Sequence, residues 1–175
     1  MKLFNEMKEK RIKSDDVTFN SIINGFLKSN QPEEAMRMFN EMKEKGIKPN
    51  EVTYSSLIDG FVKSNRMEEA MKVFNEMEEK RIKPNQITYS SLINGFARSN
   101  QMNEAVKMFN EMKEKNIQPN QVTFNTMING FVESNQPEEA MRMFEEMKSR
   151  GIEPDQVTNR TLSKLHKQSN QPNET

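Results

Sequence analysis

The chain has 175 residues, 33% of them hydrophobic and 30% charged, with 26 basic and 26 acidic side chains and a formal net charge of zero. It contains no Cys, which excludes disulfides, thiol catalysis and thiolate metal sites, and its apolar runs are too short to span a bilayer. A neutral balance also counts against nucleic-acid binding driven by net charge, unless the charges are segregated by face.

A period of 35 residues organises what remains: Phe4, Phe39, Phe74, Phe109 and Phe144 recur at that spacing, as do Met7, Met42, Met77, Met112 and Met147. Such self-similarity denotes supersecondary units stacked in one dimension, with function on the surface the stack creates. Residues 1–15 form a half repeat containing one helix. The start, Met1-Lys2-Leu3-Phe4, already lies inside the repeat, without a signal or transit peptide, and reads as a fragment or an engineered chain. Leu3, Phe4 and Met7 lack a partner helix, so end-to-end self-association through this half repeat is expected. Four full repeats follow at 16–50, 51–85, 86–120 and 121–155, then a second half repeat at 156–175. The whole is expected to form one continuous solenoid.

Each repeat predicts two helices. In repeat 1, Val17, Phe19, Ile22, Ile23, Phe26 and Leu27 are apolar at helical spacing, giving helix A a buried face. Ser29-Asn30-Gln31 breaks the pattern. Pro32 suits a first helical position, and Glu33 and Glu34 favour the positive end of the helix dipole. Helix B then buries Ala35, Met38, Phe39 and Met42 and stops at Gly46, a left-handed cap, with Ile47 folding back and Pro49 blocking propagation. Asn116 fills the cap position in repeat 3. Arg11 and Arg81 occupy it at a cost, since positive φ disfavours them. Neither helix is long enough to persist alone, so stacking supplies the stability.

Several recurring features read as structural. Gly25, Gly60, Gly95 and Gly130 follow no strand and have no second Gly, so close helix approach is expected rather than phosphate binding. The Met residues sit at core spacing beside Phe and fill gaps. Runs such as Glu41-Met42-Lys43-Glu44-Lys45 mix signs at i, i+4 and predict a solvated outer face. The fifth, ninth and thirteenth residues of each repeat differ. They lie four apart on one face of helix A and read Asn20, Asn24, Lys28; Ser55, Asp59, Lys63; Ser90, Asn94, Arg98; and Asn125, Asn129, Glu133. Small amides and hydroxyls with a cation at one end suit hydrogen bonding to a polymer with one residue per repeat.

In the last helix Asn159 stands where Phe19 and Tyr54 stand, Ser163 where Ile23 stands, and His166 where Phe26 stands. These polar replacements predict a solubilising cap. His166 is the one His, and no His-x-Glu or Cys-x-x-Cys deaminase pattern accompanies it, so catalysis, cofactors and metals are not expected.

Segments such as Glu51-Val52-Thr53-Tyr54-Ser55-Ser56-Leu57-Ile58-Asp59-Gly60-Phe61, with Glu68-Glu69-Ala70 and a Lys-Pro-Asn ending at Asn85, resemble pentatricopeptide repeats of the 35-residue type. The match recurs four times over nearly the whole chain. Tetratricopeptide repeats have 34 residues and a Trp, Gly, Tyr signature missing here; they leave a peptide-binding scaffold as the second reading, and a designed array without a ligand as a third.

The resemblance implies a right-handed α-solenoid that binds single-stranded RNA, one base per repeat, read by the fifth and last residues of each. Those pairs are Asn20 with Asn50, Ser55 with Asn85, Ser90 with Asn120, and Asn125 with Asp155. Physically, an Asn amide can donate to the ring nitrogen of A or C, whereas Asp accepts from that of G or U. Ser at the fifth position leaves room for a purine, and the larger Asn favours a pyrimidine. With RNA parallel to the chain, the implied core target is 5′-(C/U)AAU-3′. The resemblance further assigns Val17, Val52, Ile87, Val122 and Val157 to sandwiching bases, and Lys28, Lys63 and Arg98 to phosphates. Glu133 departs from that position and is expected to weaken the fourth contact. Family members usually work in mitochondria or chloroplasts; no residue of this chain assigns a compartment.

Overall fold

A computed structural model of the chain describes the backbone of residues 15–169 and the side chains of residues 15–165. Every regular element among them is an α-helix: α1 (Asp16–Lys28), α2 (Pro32–Glu44), α3 (Glu51–Lys63), α4 (Met67–Glu79), α5 (Gln86–Arg98), α6 (Met102–Glu114), α7 (Gln121–Glu133), α8 (Pro137–Ser149) and α9 (Gln156–Ser169). The odd-numbered helices are helix A of a repeat and the even-numbered ones helix B. Arg11 and the half repeat with Leu3, Phe4 and Met7, expected to mediate self-association, lie outside the described residues.

Local chemistry accounts for the helix bounds. Asp15, Asn50, Asn85 and Asn120 precede α1, α3, α5 and α7 in extended conformation, and each side chain accepts the N–H of the Thr three residues on. Such a cap satisfies a donor that the first turn leaves unpaired and contributes about 0.5–2 kcal/mol. Pro32 and Pro137 open α2 and α8, where the missing N–H costs nothing. Gly46 (φ 72°) ends helix B of repeat 1 in left-handed conformation: its N–H donates to Lys43 O at 2.9 Å and that of Ile47 to Met42 O at 3.0 Å. Arg81, Asn116 and Gly151 take the same conformation after the other B helices. The A helices stop in the same way on Asn30, Asn65, Asn100 and Asn135. The sequence pattern reads those four only as breaks, because Asn marks a left-handed cap less distinctly than Gly.

The described residues cluster into two compact halves, divided between Pro84 and Asn85. In the N-terminal half, α1 pairs with α2 and α3 with α4, while α3 also packs against both α1 and α2. Phe19, Ile23, Ala35, Phe39, Leu57, Ile58, Ala70 and Met77 are completely buried between these helices. Phe39 meets Tyr54 edge to face at 5.4 Å. In the C-terminal half α7 is the hub, packing against α5, α6, α8 and α9. Its Phe124 lies edge to face with Phe109 of α6 at 5.5 Å. Burial of each large apolar side chain contributes about 1.5–3 kcal/mol.

Three expectations change. Val17 does not belong to the buried face of α1: it is 65% exposed, because residue 17 projects about 140° away from the Phe19–Ile23 stripe. No described atom lies within 4 Å of a Cβ placed on Gly25, whereas a Cβ on Gly60 would collide with the Leu27 side chain and one on Gly130 would lie 2.5 Å from Met102 Sδ, so close approach is seen at the latter two. The charged run of helix B is also more than a solvated face. Glu76 accepts from the buried Tyr54 hydroxyl at 2.9 Å and from Lys43 of the preceding repeat at 3.2 Å. Burial beside this carboxylate holds the Tyr54 phenol well above its ordinary range, and desolvation pushes Tyr89, bonded to Glu111, up to about 12.

Candidate functional site

The first turn of each helix A carries an unusual combination of exposure and fixed polar geometry. Val17, Val52, Ile87, Val122 and Val157 are 54–65% exposed, and the one other exposed large apolar side chain among the described residues, Met141, is 43% exposed. A single exposed Val is ordinary, but the same register in five successive helices is not explained by packing.

Beside four of these, Val52, Ile87, Val122 and Val157, lies a buried Thr that anchors a hydrogen-bond network. In repeat 1, the Asn50 N–H donates to Thr53 Oγ1 at 3.1 Å, and the Thr53 hydroxyl donates to Asn20 Oδ1 at 2.7 Å. Asn50 Oδ1 takes the Thr53 N–H, and Asn50 Nδ2 donates to Asp16 Oδ2 at 3.0 Å. In repeat 3, Ser90 Oγ and Thr123 Oγ1 share a hydrogen bond of 2.9 Å, Asn120 Oδ1 caps Thr123, and Asn120 Nδ2 donates to Gln86 Oε1 at 3.1 Å. Repeat 4 closes the pair directly. Asn125 Nδ2 lies 3.1 and 3.2 Å from the two Asp155 carboxylate oxygens, and Thr158 donates to Asn125 Oδ1 at 2.6 Å. The Thr158 N–H and hydroxyl, with the Asn125 amide, hold the Asp155 carboxyl below the usual Asp value of 3.8.

Asn20 with Asn50, Ser90 with Asn120 and Asn125 with Asp155 are therefore brought together, the first two pairs through a shared Thr. Ser55, in the N-terminal half, is 4% exposed and less open to a ligand than Asn20, Ser90 and Asn125; Asn85 caps α5 in the other half.

The cation positions are not equivalent. Lys28 and Arg98 are exposed and form no ion pair among the described residues. Lys63 is held by Asp59 at 2.6 Å, and Glu133 by Lys164 of α9 at 2.7 Å. A groove of about 760 Å³ in the C-terminal half is lined by Asn94, Arg98, Val122, Asn125, Asp155 and Val157, among others. In α9, Asn159 and Ser163 are exposed. Among the described residues no cluster of His, Asp or Glu could hold a metal, and no helix is long and apolar enough to cross a membrane.

Sequence reasoning missed the Thr residues, Asp16, Gln86 and Lys164. A faint signal exists for the first: a Val-Thr or Ile-Thr pair opens every helix A, where β-branched residues are poor helix formers. The other contacts join residues 31–34 apart and leave no local trace.

Among solved structures, the pentatricopeptide repeat protein PPR10 from maize superposes with a TM-score of 0.84 and 28% identity, covering 95% of this chain and 24% of that one. The same protein in complex with an 18-nt psaJ RNA element gives 0.76 and 26%, over 86% of this chain and 22% of that one. The PPR domain of Arabidopsis thaliana protein-only RNase P 1, in complex with tRNA, gives 0.82 at 15% identity, over 95% and 88% of the two chains, a likeness of fold alone. This chain thus spans about a quarter of the length of the maize protein, and no curated protein matches its sequence. These likenesses make the fold an all-α solenoid of helix-pair repeats. The profile of the PPR repeat family matches residues 1–28, 14–63, 52–98, 91–133 and 119–167, and the chain belongs to that family, the pentatricopeptide repeats.

Proposed function

We propose that this chain binds single-stranded RNA along the helix A face, one nucleotide per repeat, with the core target 5′-(C/U)AAU-3′. The observation that carries the reading is the groove of repeat 4, where exposed Val122 and Val157 flank the hydrogen-bonded Asn125 and Asp155. Two apolar side chains there offer surfaces to the faces of a base, and the polar pair offers a donor and an acceptor to its edge.

Cap geometry supports the roles of the last residues. In Asn50, Asn85 and Asn120 the Oδ1 atom is committed to the helix N-terminus, leaving the NH2 as the group that differs from Asp. One of its two hydrogens is taken in Asn50 and in Asn120, and the second suits the ring nitrogen of A or C. Asp155 spends Oδ1 on the cap in the same way, and its Oδ2 suits the ring N–H of U or G. Asn125 Nδ2 beside it favours the adjacent carbonyl of uracil. Val17, Val52 and Ile87 hold the same place in repeats 1–3 and are assigned the same stacking role, and Lys28, Lys63 and Arg98 meet phosphates. The exchange with RNA involves no chemistry on the ligand, and catalysis is not proposed.

The test is a titration of fluorescent RNA carrying a UAAU core against a scrambled sequence of equal composition. Four stacked bases at about 1–3 kcal/mol each, less the ordering of a flexible strand, lead to an expected affinity in the micromolar range or weaker. Equal affinity for the scrambled RNA overturns the base assignments, and no RNA binding at all returns the chain to the peptide-scaffold reading.

A further inference from the structure

We infer that the third residue of a repeat, a buried threonine, is a positioning residue that fixes which face of the preceding repeat's fifth side chain is turned toward the ligand. The inference rests on the RNA reading for its consequence, and on hydrogen-bond geometry alone for its mechanism.

Thr53, Thr123 and Thr158 are at most 1% exposed. A hydroxyl buried this deeply needs partners, and it has a single proton to give. At Thr53 the acceptor side of the hydroxyl is taken by the Asn50 N–H at 3.1 Å. Its proton has two oxygens in reach: Asn20 Oδ1 at 2.7 Å and Asn50 Oδ1 at 3.2 Å. The shorter matches the usual O–H···O length, and Asn50 Oδ1 is already serving as the cap acceptor. The proton therefore goes to Asn20, whose oxygen is drawn inward and whose NH2 is turned out. Asn20 Nδ2 bonds no described residue, so this hydroxyl is what separates the two orientations of the amide.

A carboxamide rotated by half a turn exchanges acceptor for donor at nearly the same position. With NH2 outward, Asn20 can donate to the O2 carbonyl that both pyrimidines carry, which fits a repeat that takes either C or U. The relay recurs with different occupants. At repeat 4 the distances are 2.6 Å to Asn125 and 3.0 Å to Asp155, and Asp155 holds the Asn125 NH2 as a second restraint. At repeat 3 the partner is the Ser90 hydroxyl at 2.9 Å. Repeat 1 thus depends on its Thr most. Thr18, by contrast, directs its hydroxyl to its own cap, Asp15, at 2.7 Å, and measures the cost of losing a hydroxyl that bonds only the cap, whose N–H bond a Val would keep.

The experiment uses the full chain with Thr53→Val, Thr53→Ser and Thr18→Val. The first readout needs no RNA: residual dipolar couplings and NOEs of the Asn20 side-chain NH2. One orientation is expected in the unmodified chain, in Thr53→Ser and in Thr18→Val, and two in Thr53→Val. The second readout is competition binding with four RNAs differing in the first core base. A preference for C and U over A and G of about tenfold is expected to fall to within about threefold in Thr53→Val, with the other three bases read as before, and to survive in Thr53→Ser and Thr18→Val. An Asn20 amide that samples both orientations in the unmodified chain overturns the inference without any variant. So does a Thr53→Val chain that keeps one orientation or keeps the pyrimidine preference. If the amide responds as expected while no RNA is preferred, the RNA reading fails and the orienting role of the hydroxyl stands.

Discussion

Repeats 1 and 4 carry the same fifth residue, Asn20 and Asn125, but the surrounding atoms hold it differently. Asn20 is fixed by one hydroxyl, and the neighbouring Asn50 amide is drawn toward the Asp16 carboxylate. Asn125 is gripped from both ends, by Thr158 and by Asp155. The thirteenth residues diverge too: Lys28 is exposed and pairs with no described residue, whereas Glu133 is tied to Lys164. Yet the backbone that presents the two pairs is the same, because Asn and Asp share the one atom the helix needs, an Oδ1 to accept the third residue's N–H. The other atom of the group is left to vary. In this arrangement recognition can change while the cap, and with it the fold, is retained.

Exchanging the last residues is the most forceful way to break that contrast. Asp155→Asn gives repeat 4 the pairing of repeat 1 and should relax its preference from U to either pyrimidine; Asn50→Asp should narrow repeat 1 to U. In repeat 2, Asn85→Asp should move the preferred base from A to G. Each mismatch leaves a buried polar group unpaired at about 1–3 kcal/mol, so preferences should move by tenfold or more in competition binding. Thermal midpoints should stay within about 2 °C for Asp155→Asn and Asn85→Asp, since Asn and Asp cap equally well, whereas Asn50→Asp sets a second carboxylate beside Asp16 and should lose more. A midpoint loss as large as that of Asn85→Ala would mean that cap and reading cannot be separated.

The helix A glycines give a second contrast, on stability. Gly25 meets no described residue and Gly60 lies against Leu27. Gly25→Ala should stabilise the chain by up to about 1 kcal/mol through helix propensity alone. Gly60→Ala should gain less or lose stability, because Leu27 must move. Denaturant midpoints compare the two, and equal gains would remove the close approach as an explanation for Gly60.

Much of this was readable in advance, and the boundary is physical. Period and apolar spacing identify the helix pairs, since burial of Phe39 or Met77 needs only the right face of one helix. Gly46 and Pro32 announce a stop and a start because their backbones permit little else. The polar network is different in kind. Thr53 and Asn20 are 33 residues apart, and so are Lys43 and Glu76, so nothing adjacent in sequence signals that they touch. The last residue of each repeat also does two jobs. A resemblance that assigns it to base recognition hides its simpler role, and Asn50 or Asn85 as an N-cap emerges only from the bond to the Thr N–H.

The salt dependence should sharpen the difference at the thirteenth position. Lys28 and Arg98 form no ion pair among the described residues, while Lys63 and Lys164 each face a carboxylate. Two effective phosphate contacts on a single strand lead to a slope of log K against log salt of about −1.4. Glu133→Lys supplies a new cation and releases Lys164, and should steepen that slope by about 0.7 or more while raising affinity at low salt. Lys28→Ala should flatten it by a similar amount without altering base preference. A slope indifferent to Glu133→Lys would place the RNA backbone away from this stripe.

The smallest effect expected is in acid, and it separates the same two sites by titration. Asp155 is held below its ordinary value of 3.8, first by the Thr158 N–H and then by the Thr158 hydroxyl and the Asn125 amide. A carboxyl lowered on folding stabilises the folded chain at pH above its unfolded value, and that contribution disappears as pH falls through the folded value. The dependence should therefore be confined to pH below about 4, with no change between pH 5 and 8. Asp15, lowered chiefly by the Thr18 hydroxyl, behaves alike, whereas Asn50 in the corresponding place does not titrate. Carboxyl-carbon NMR should find Asp155 titrating below 3.8, and Asp155→Asn should make the acid limb of a stability curve shallower. Protonation would also turn the Asp155 acceptor into a donor, so preference for U at the fourth base should hold constant down to about pH 5 and weaken only in stronger acid. A midpoint for Asp155 at or above its ordinary value would show that the Thr158 and Asn125 bonds do not hold the carboxylate in solution, and the two repeats would then differ in sequence but not in wiring.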